Sequence, residues 1–339
     1  MNVKNVIILV IINIIFFGHL SLAKEVNIYS HRQPFLINPF LEEFTKRTGI
    51  KTNVVYSTKG LAQRLKAEGQ NSPADVILTV DIGRLYIYED NKLLLPINSK
   101  ILNENIPAHL RSPKNTWFAL SKRSRVIVTS KERVDTSKIK RIEDLANPEW
   151  KGRVCSRPGS HVYNRALMAS IIAANGEELA EKWAKSFVDN LARRPQGNDR
   201  AQVKAIFEGQ CDIAIINNYY FGKLKYSEDL QQQEWAKTVN LIFPNQGNDD
   251  RGAHINISGG GVAIHSKNKD NAVKLLEFLS GEVSQNLYGK INFEYPANPK
   301  IKPSDELVGW GIPKEDQIPI IKIAELGPLA QKIIDRVGW

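Results

Sequence analysis

Apolar residues recur along this chain with two periods, and the two alternate. Residues 26–30 (Val-Asn-Ile-Tyr-Ser) alternate apolar and polar positions and predict a first strand. Residues 39–48 put Phe40, Leu41 and Phe44 on one face and Glu42, Glu43, Lys46 and Arg47 elsewhere, the spacing of an amphipathic helix. Residues 52–56 predict a second strand, 61–68 a helix stopped by Gly69, and 74–79 a continuous apolar strand of the kind buried in a parallel sheet. A second set follows, with strands at 125–129, at Val154 and at 211–216, and helices over 163–174, 177–190 and 202–208. Residues 147–152 and 195–198 read as turns. Beyond the polar stretch 246–252, residues 255–264 predict a strand that Gly259-Gly260-Gly261 is expected to interrupt. Helices over 271–279, 282–288 and parts of 319–337 close the chain.

Strand and helix at this rhythm give an α/β class built from βαβ units. Two such sets imply two lobes with a cleft between them. The chain is expected to cross near 120–128 and to return near 250–264. This makes residues 24–122 with 252–310 one lobe, 123–251 the other, and 311–339 a helical segment packed on both. Ligands of α/β sheets sit beyond the carboxyl ends of the strands, and clefts between lobes are common sites.

Residues 1–23 stand outside this pattern. Lys4 precedes an apolar run from Val6 to Phe17 broken only by Asn13, and Ser21-Leu22-Ala23 offers small residues before Lys24-Glu25. That is the grammar of a cleaved secretory signal peptide, and the run is shorter than the ~20 apolar residues of a spanning helix. With no cysteine at the cleavage point, no lipid anchor is expected, and a periplasm is the natural destination. The formal net charge is +10, to which residues 1–23 contribute only Lys4. The basic residues are scattered, with no long run and no aromatic interleaving, which argues against a nucleic-acid partner and leaves an anionic surface or ligand. The two cysteines, Cys155 and Cys211, each lie by a predicted strand, and an oxidising compartment favours a disulfide between them.

The remaining chemistry lies in tyrosines. Tyr163 falls in SHVYNRAL, and Tyr219 and Tyr220 are adjacent in IINNYYFGKL. A phenol titrates near pH 10, and a hard trivalent cation that strips its proton prefers the resulting oxygen to sulfur. In a regular strand two neighbours point to opposite faces, but Asn217-Asn218 suggests that the strand has ended, which frees both rings to face the cleft.

Several long phrases carry a family resemblance: YSHRQPFLINPFLEEFTKRTGI, DVILTVDIGRLYIYEDNKLL, SKRSRVIV, QGNDRAQVKAIFEGQCDIAIINNYYFGKL, GAHINISGGGVAIHSKN and NFEYPANP. Collinear over roughly residues 25–310, they make the chain resemble the periplasmic ferric-iron-binding proteins of ABC transporters, the ferric-binding protein and FutA-like group. The resemblance implies a type II periplasmic-binding-protein fold and no enzymatic activity. It also implies Fe³⁺ ligation by Tyr163, Tyr219 and Tyr220, and delivery by a monomer to an inner-membrane ABC permease with its ATPase. Many relatives carry His-Tyr after the first-strand arginine, whereas here Arg32 is followed by Gln33 and Pro34. The branch with this pattern looks like one that completes the iron shell with an anion such as carbonate. Arg32 and Gln33 are then expected to hold it, with Arg123 helping from across the cleft, since the planar guanidinium fork suits carboxylate-like anions. Arg125 has a similar claim; His31, His161 and His254 are expected to be rim or structural residues. The same fold binding an oxyanion or small organic solute without iron is the alternative. A secreted hydrolase is remote, because residues 256–260 lack the first glycine of a GxSxG elbow and no HExxH is present.

Overall fold

The computed structural model describes residues 24–339; the signal-peptide reading falls on residues outside these. Ten strands are present among them: β1 (Glu25–Ser30), β2 (Lys51–Tyr56), β3 (Val76–Thr79), β4 (Leu94–Leu95), β5 (Phe118–Ser130), β6 (Val154–Cys155), β7 (Ile213–Asn217), β8 (Val239–Ile242), β9 (Ile255–Ala263) and β10 (Tyr295–Pro296). β1 pairs in parallel with both β2 and β3, the βαβ arrangement that the first three strands predict. β9 then runs antiparallel between β3 and β5. The molecule is a two-lobed α/β protein, and β5 belongs to both lobes. Phe118–Ser124 pairs with β9, and Arg125–Thr129 pairs with β7, so the hand-over falls between Ser124 and Arg125. β8 joins β5 on the edge opposite β7, and β6 lies parallel to β7.

The triglycine does not interrupt β9. Gly259, Gly260 and Gly261 lie inside one continuous, fully buried strand. A methyl group at Gly259 would stand 2.6 Å from the Phe118 carbonyl oxygen, and one at Gly260 2.7 Å from that of Ile77. The glycines therefore let two neighbouring backbones close on β9 from both sides. The first helix also differs from the expectation. It spans Pro34–Thr48, with Pro34 in the first turn, where a missing N–H costs nothing, and Pro39 inside. β5 is longer at both ends than its apolar segment predicts, because β9 pairs with Phe118–Ser124 and β8 reaches Ser130.

The chain closes with helices at Ile320–Glu325 and Gly327–Val337. Trp339 packs edge-on against Trp183 and tilted against Phe187, and donates its Nε1–H to Ser156 Oγ at 2.8 Å. The main chain closes the same contact, Gly159 N–H donating to the Trp339 carbonyl at 3.1 Å. Residues 156–159 are thereby fixed just ahead of Tyr163.

Cys155 on β6 and Cys211 ahead of β7 are bonded as expected, with Cα atoms 5.8 Å apart and a sequence separation of 56. Loop closure of that length contributes about 4 kcal/mol in the chain-entropy model. Replacing both (C155A/C211A) is expected to lower unfolding free energy by an amount of that order, read as an earlier urea midpoint with a somewhat larger m-value, because the uncrosslinked unfolded chain exposes more surface.

Candidate metal centre

Tyr163 is the second residue of the helix Val162–Asn175, and Tyr219 and Tyr220 are the second and third of the helix Asn218–Lys225, which starts where β7 stops at Asn217. All three rings thus rise from the first turns of helices, where free N–H groups and the helix dipole favour negative charge. The end of the strand at Asn217 is what lets neighbouring tyrosines share one side. Their ring centroids are 4.4 Å apart. Tyr219 donates its hydroxyl to the Tyr163 hydroxyl at 3.1 Å, so two phenol oxygens from separate helices already converge.

A buried ionic platform holds this convergence. Arg125 donates Nη1 to Asp199 at 3.0 Å and to Asn217 Oδ1 at 3.2 Å, and Nη2 to Asn164 Oδ1 at 2.5 Å. Asn164 follows Tyr163 and Asn217 precedes Asn218, so one guanidinium ties the starts of both helices. Asp199 also accepts from Arg157 Nη1 at 3.2 Å and from the Asn217 N–H at 3.2 Å. Arg125 is therefore a support beneath the site and lies outside the cleft lining. The parity of Arg123 and Arg125 along the strand could not separate them, because the sheet changes between them.

The tyrosines face a cleft of about 360 Å³ between the lobes. Its lining carries Arg32, Lys59, Arg84, Arg123, Arg157, Arg200 and Lys223 against one carboxylate, Glu294. Arg123 and Arg157 lie 5.1 and 5.2 Å from the Tyr163 ring centroid, and Arg200 lies 5.8 Å from that of Tyr220. Burial pushes the Tyr219 phenol well above its ordinary range, and the neighbouring Tyr163 and Tyr220 add to this while Arg123 opposes it. Burial raises Tyr220 too, helped by Tyr163 and Asp199. Both phenols are protonated at neutral pH, and a bound cation must displace those protons.

Of the expected anion holders, Gln33 is exposed at the cleft wall. Arg32 is already engaged: Nη2 donates to Glu294 at 2.5 Å and Nη1 to Ser258 Oγ at 2.9 Å. Arg123 donates Nη2 to the Val80 carbonyl and lies 3.5 Å from Asp81, whereas its buried Nη1 has no protein partner among the described residues. Arg123 thus has the freer fork. It stands in the part of β5 that pairs with β9, opposite Asn256.

His31 and His161 are held by hydrogen bonds, whereas His254 is buried with no partner for its Nε2 among the described residues. His31 Nδ1 faces the Ser57 carbonyl at 2.8 Å and must donate to it, so Nε2 accepts from the Tyr88 hydroxyl at 3.0 Å. Burial, with Arg84 adding, lowers its pKa to about 4. His161 Nδ1 caps the Tyr163 helix by accepting the Tyr163 N–H at 3.3 Å, and burial followed by Arg157 takes its pKa down to about 2. Among the described residues no group of three or more His, Cys, Asp or Glu could hold a metal.

The profile of bacterial extracellular solute-binding proteins matches residues 29–286. The chain belongs to that family. Iron uptake protein A1 of Synechocystis is 42% identical over 317 residues, covering 93% of this chain and 88% of the relative. The apo ferric ion-binding protein A of Pasteurella haemolytica has a TM-score of 0.88 at 48% identity, over 93% of this chain and 98% of that one. Trichodesmium FutA, solved in complex with iron and citrate ligands, has a TM-score of 0.87 at 44% identity, over 93% and 99%. These relatives are binding and transport proteins, and the solute-binding protein described here is no enzyme. Ser258, in the segment weighed as a nucleophile elbow, is spent on Arg32 and Glu294.

Sequence reasoning missed Arg157, Arg200, Lys223 and Glu294 in this solute-binding cleft. The first two lie in phrases already carrying tyrosine or turn signals, CSRPGSHVY and QGNDRAQ, so their company was a usable hint.

Proposed function

We propose that this protein captures Fe³⁺ through the phenolates of Tyr163, Tyr219 and Tyr220, with a carbonate-class anion completing the shell, and delivers it to an inner-membrane ABC permease with its ATPase. The observation that carries the reading is the 3.1 Å approach of the Tyr219 and Tyr163 hydroxyls, with the Tyr220 ring packed beside that of Tyr219 in a cleft between lobes. Three phenolates neutralise a trivalent ion. The cationic lining then still favours a further anion, and the same lining opposes entry of bare Fe³⁺ unless negative charge accompanies it. Arg123 Nη1 and Gln33 are the available donors for that anion, and Arg32 joins if its Glu294 pair loosens. The working compartment is the periplasm, reached after removal of residues 1–23, and the protein acts as a monomer.

The moving units follow the expected division into 24–122 with 252–310 and 123–251, except that Arg123 and Ser124 go with the first lobe, because β5 passes from β9 to β7 between Ser124 and Arg125; residues 311–339 pack across both. A ligand that touches both lobes shifts such a hinge toward closure. After incubation with ferric citrate and gel filtration, metal analysis is expected to return one iron per chain. A chain that emerges iron-free, or that binds phosphate or sulfate equally well without iron, overturns the reading. His31→Gln is expected to leave ferric affinity within about threefold, since both His31 nitrogens are committed elsewhere and its loss removes no ligand.

A further inference from the structure

Three consecutive residues, Asn292, Phe293 and Glu294, hold opposite walls of the cleft in turn. Asn292 Nδ2 donates to the Leu36 carbonyl at 3.0 Å, and Glu294 accepts from Arg32 at 2.5 Å and from Ser121 Oγ at 2.9 Å. Both ties reach the wall that carries Arg32. Phe293 between them reaches the other wall. Its carbonyl accepts from Asn218 Nδ2 at 3.0 Å, and its ring sits on Gly222 of the helix that carries Tyr219 and Tyr220. The neighbouring Lys223 Nζ donates to the Ile291 carbonyl at 2.7 Å.

The seat is tight. A methyl group at Gly222 would come within 2.6 Å of Phe293 Cδ2 and 2.7 Å of Cδ1. Glycine is the poorest helix-interior residue after proline, and Gly222 has ordinary helical backbone, so close approach of the ring is what its presence explains. Phe293 ends the helix Glu282–Asn292 at φ 56° and ψ 36°, a left-handed conformation that a bulky residue keeps only when its surroundings hold it there. Those surroundings are aromatic. The ring stacks on Tyr226 at 5.5 Å and 7° and on Trp310 at 5.8 Å and 29°, and Phe293 shares one apolar cluster with Tyr219, Tyr295 and Leu307.

We propose that Phe293, seated on Gly222, is a positioning residue that sets where Tyr219 and Tyr220 stand relative to the Arg32 wall. The ring is the knob on which the tyrosine helix rests, while its two neighbours stay with the opposite wall. Relative movement of the walls therefore turns about this contact, and the phenol oxygens follow the ring. This rests on the tyrosines being the iron ligands.

The test is a mutant cycle on the full chain, read by ferric titration in bicarbonate and by the phenolate-to-iron charge-transfer band. G222A forces the ring away and is expected to lower ferric affinity about tenfold or more and to shift the band. F293A removes the ring without adding atoms and is expected to lower affinity about fivefold with a band shift of its own. In G222A/F293A the added methyl meets no ring, so the double variant should bind as F293A does and melt no lower. If G222A fails to fold, F293A and the double variant still decide. Wild-type affinity and band in F293A, or a double variant weaker than F293A by the full G222A penalty, overturns the proposal. A wild-type chain without any band removes the ligand assignment, and this inference falls with it; the wild-type trace separates the two failures.

Discussion

Tyr219→Phe is expected to lose ferric binding by roughly a thousandfold, the equivalent of about 4 kcal/mol for leaving a buried charge without one of its partners. The substitution keeps the ring in its apolar cluster with Phe293, Tyr295 and Leu307, so the fold has no reason to fail. What disappears is one phenolate, together with hydrogen bonds to Tyr163 at 3.1 Å and from Asn217 at 3.3 Å. Two phenolates cannot neutralise Fe³⁺, and the surplus positive charge would sit beside Arg123, Arg157 and Arg200. Competition against citrate, followed at the charge-transfer band, measures the loss. Circular dichroism and the melting temperature are expected to stay close to those of the parent. Affinity within threefold of the parent would show that the oxygen is no ligand.

The second large effect is that of pH. Burial holds Tyr219 and Tyr220 above their ordinary value of 10.0, so both phenols carry protons across the neutral range. Iron takes only the deprotonated oxygen. Binding then releases at least these two protons, and mass action makes affinity rise with pH and fall as pH falls. Two protons correspond to about a hundredfold per pH unit. The same sign gives a physical account of release, since local acidification returns protons to the phenols and weakens the site. Competition titrations from pH 6 to 8, corrected for the protonation of the competitor, give the slope directly. A slope below one proton per iron is incompatible with two phenolate ligands starting from the neutral state.

The tyrosines and the alternation of strand and helix were legible because both are local. Asn217-Asn218 announced the end of β7, and the two rings beside it share one side as a consequence. The disulfide was legible from a count of two cysteines in a chain whose first 23 residues read as an export signal. Long-range pairing was not. Nothing near Arg32 says that its guanidinium meets Glu294, 262 residues away, or that Ser258 stands between them. The glycines of β9 mislead for a related reason. Glycine weakens a strand taken alone, whereas here it admits the Phe118 and Ile77 carbonyls from adjacent strands, which only the assembled sheet reveals. Arg123 and Arg125 differ by two positions, yet one borders the cleft and the other braces the helix starts, because β5 changes partners between them. Gly222 gave no signal at all, since its meaning lies in the ring of Phe293, which is distant in sequence.

The central claim is that three phenolates and an anion hold ferric iron in the cleft. Its most direct test is the visible absorption spectrum of the purified protein, titrated with ferric citrate and ferric carbonate, with and without bicarbonate. The account predicts a phenolate-to-iron charge-transfer band that saturates at one iron per chain and strengthens or shifts when bicarbonate is added. A protein that stays colourless and gains no visible absorbance under any of these conditions would contradict it.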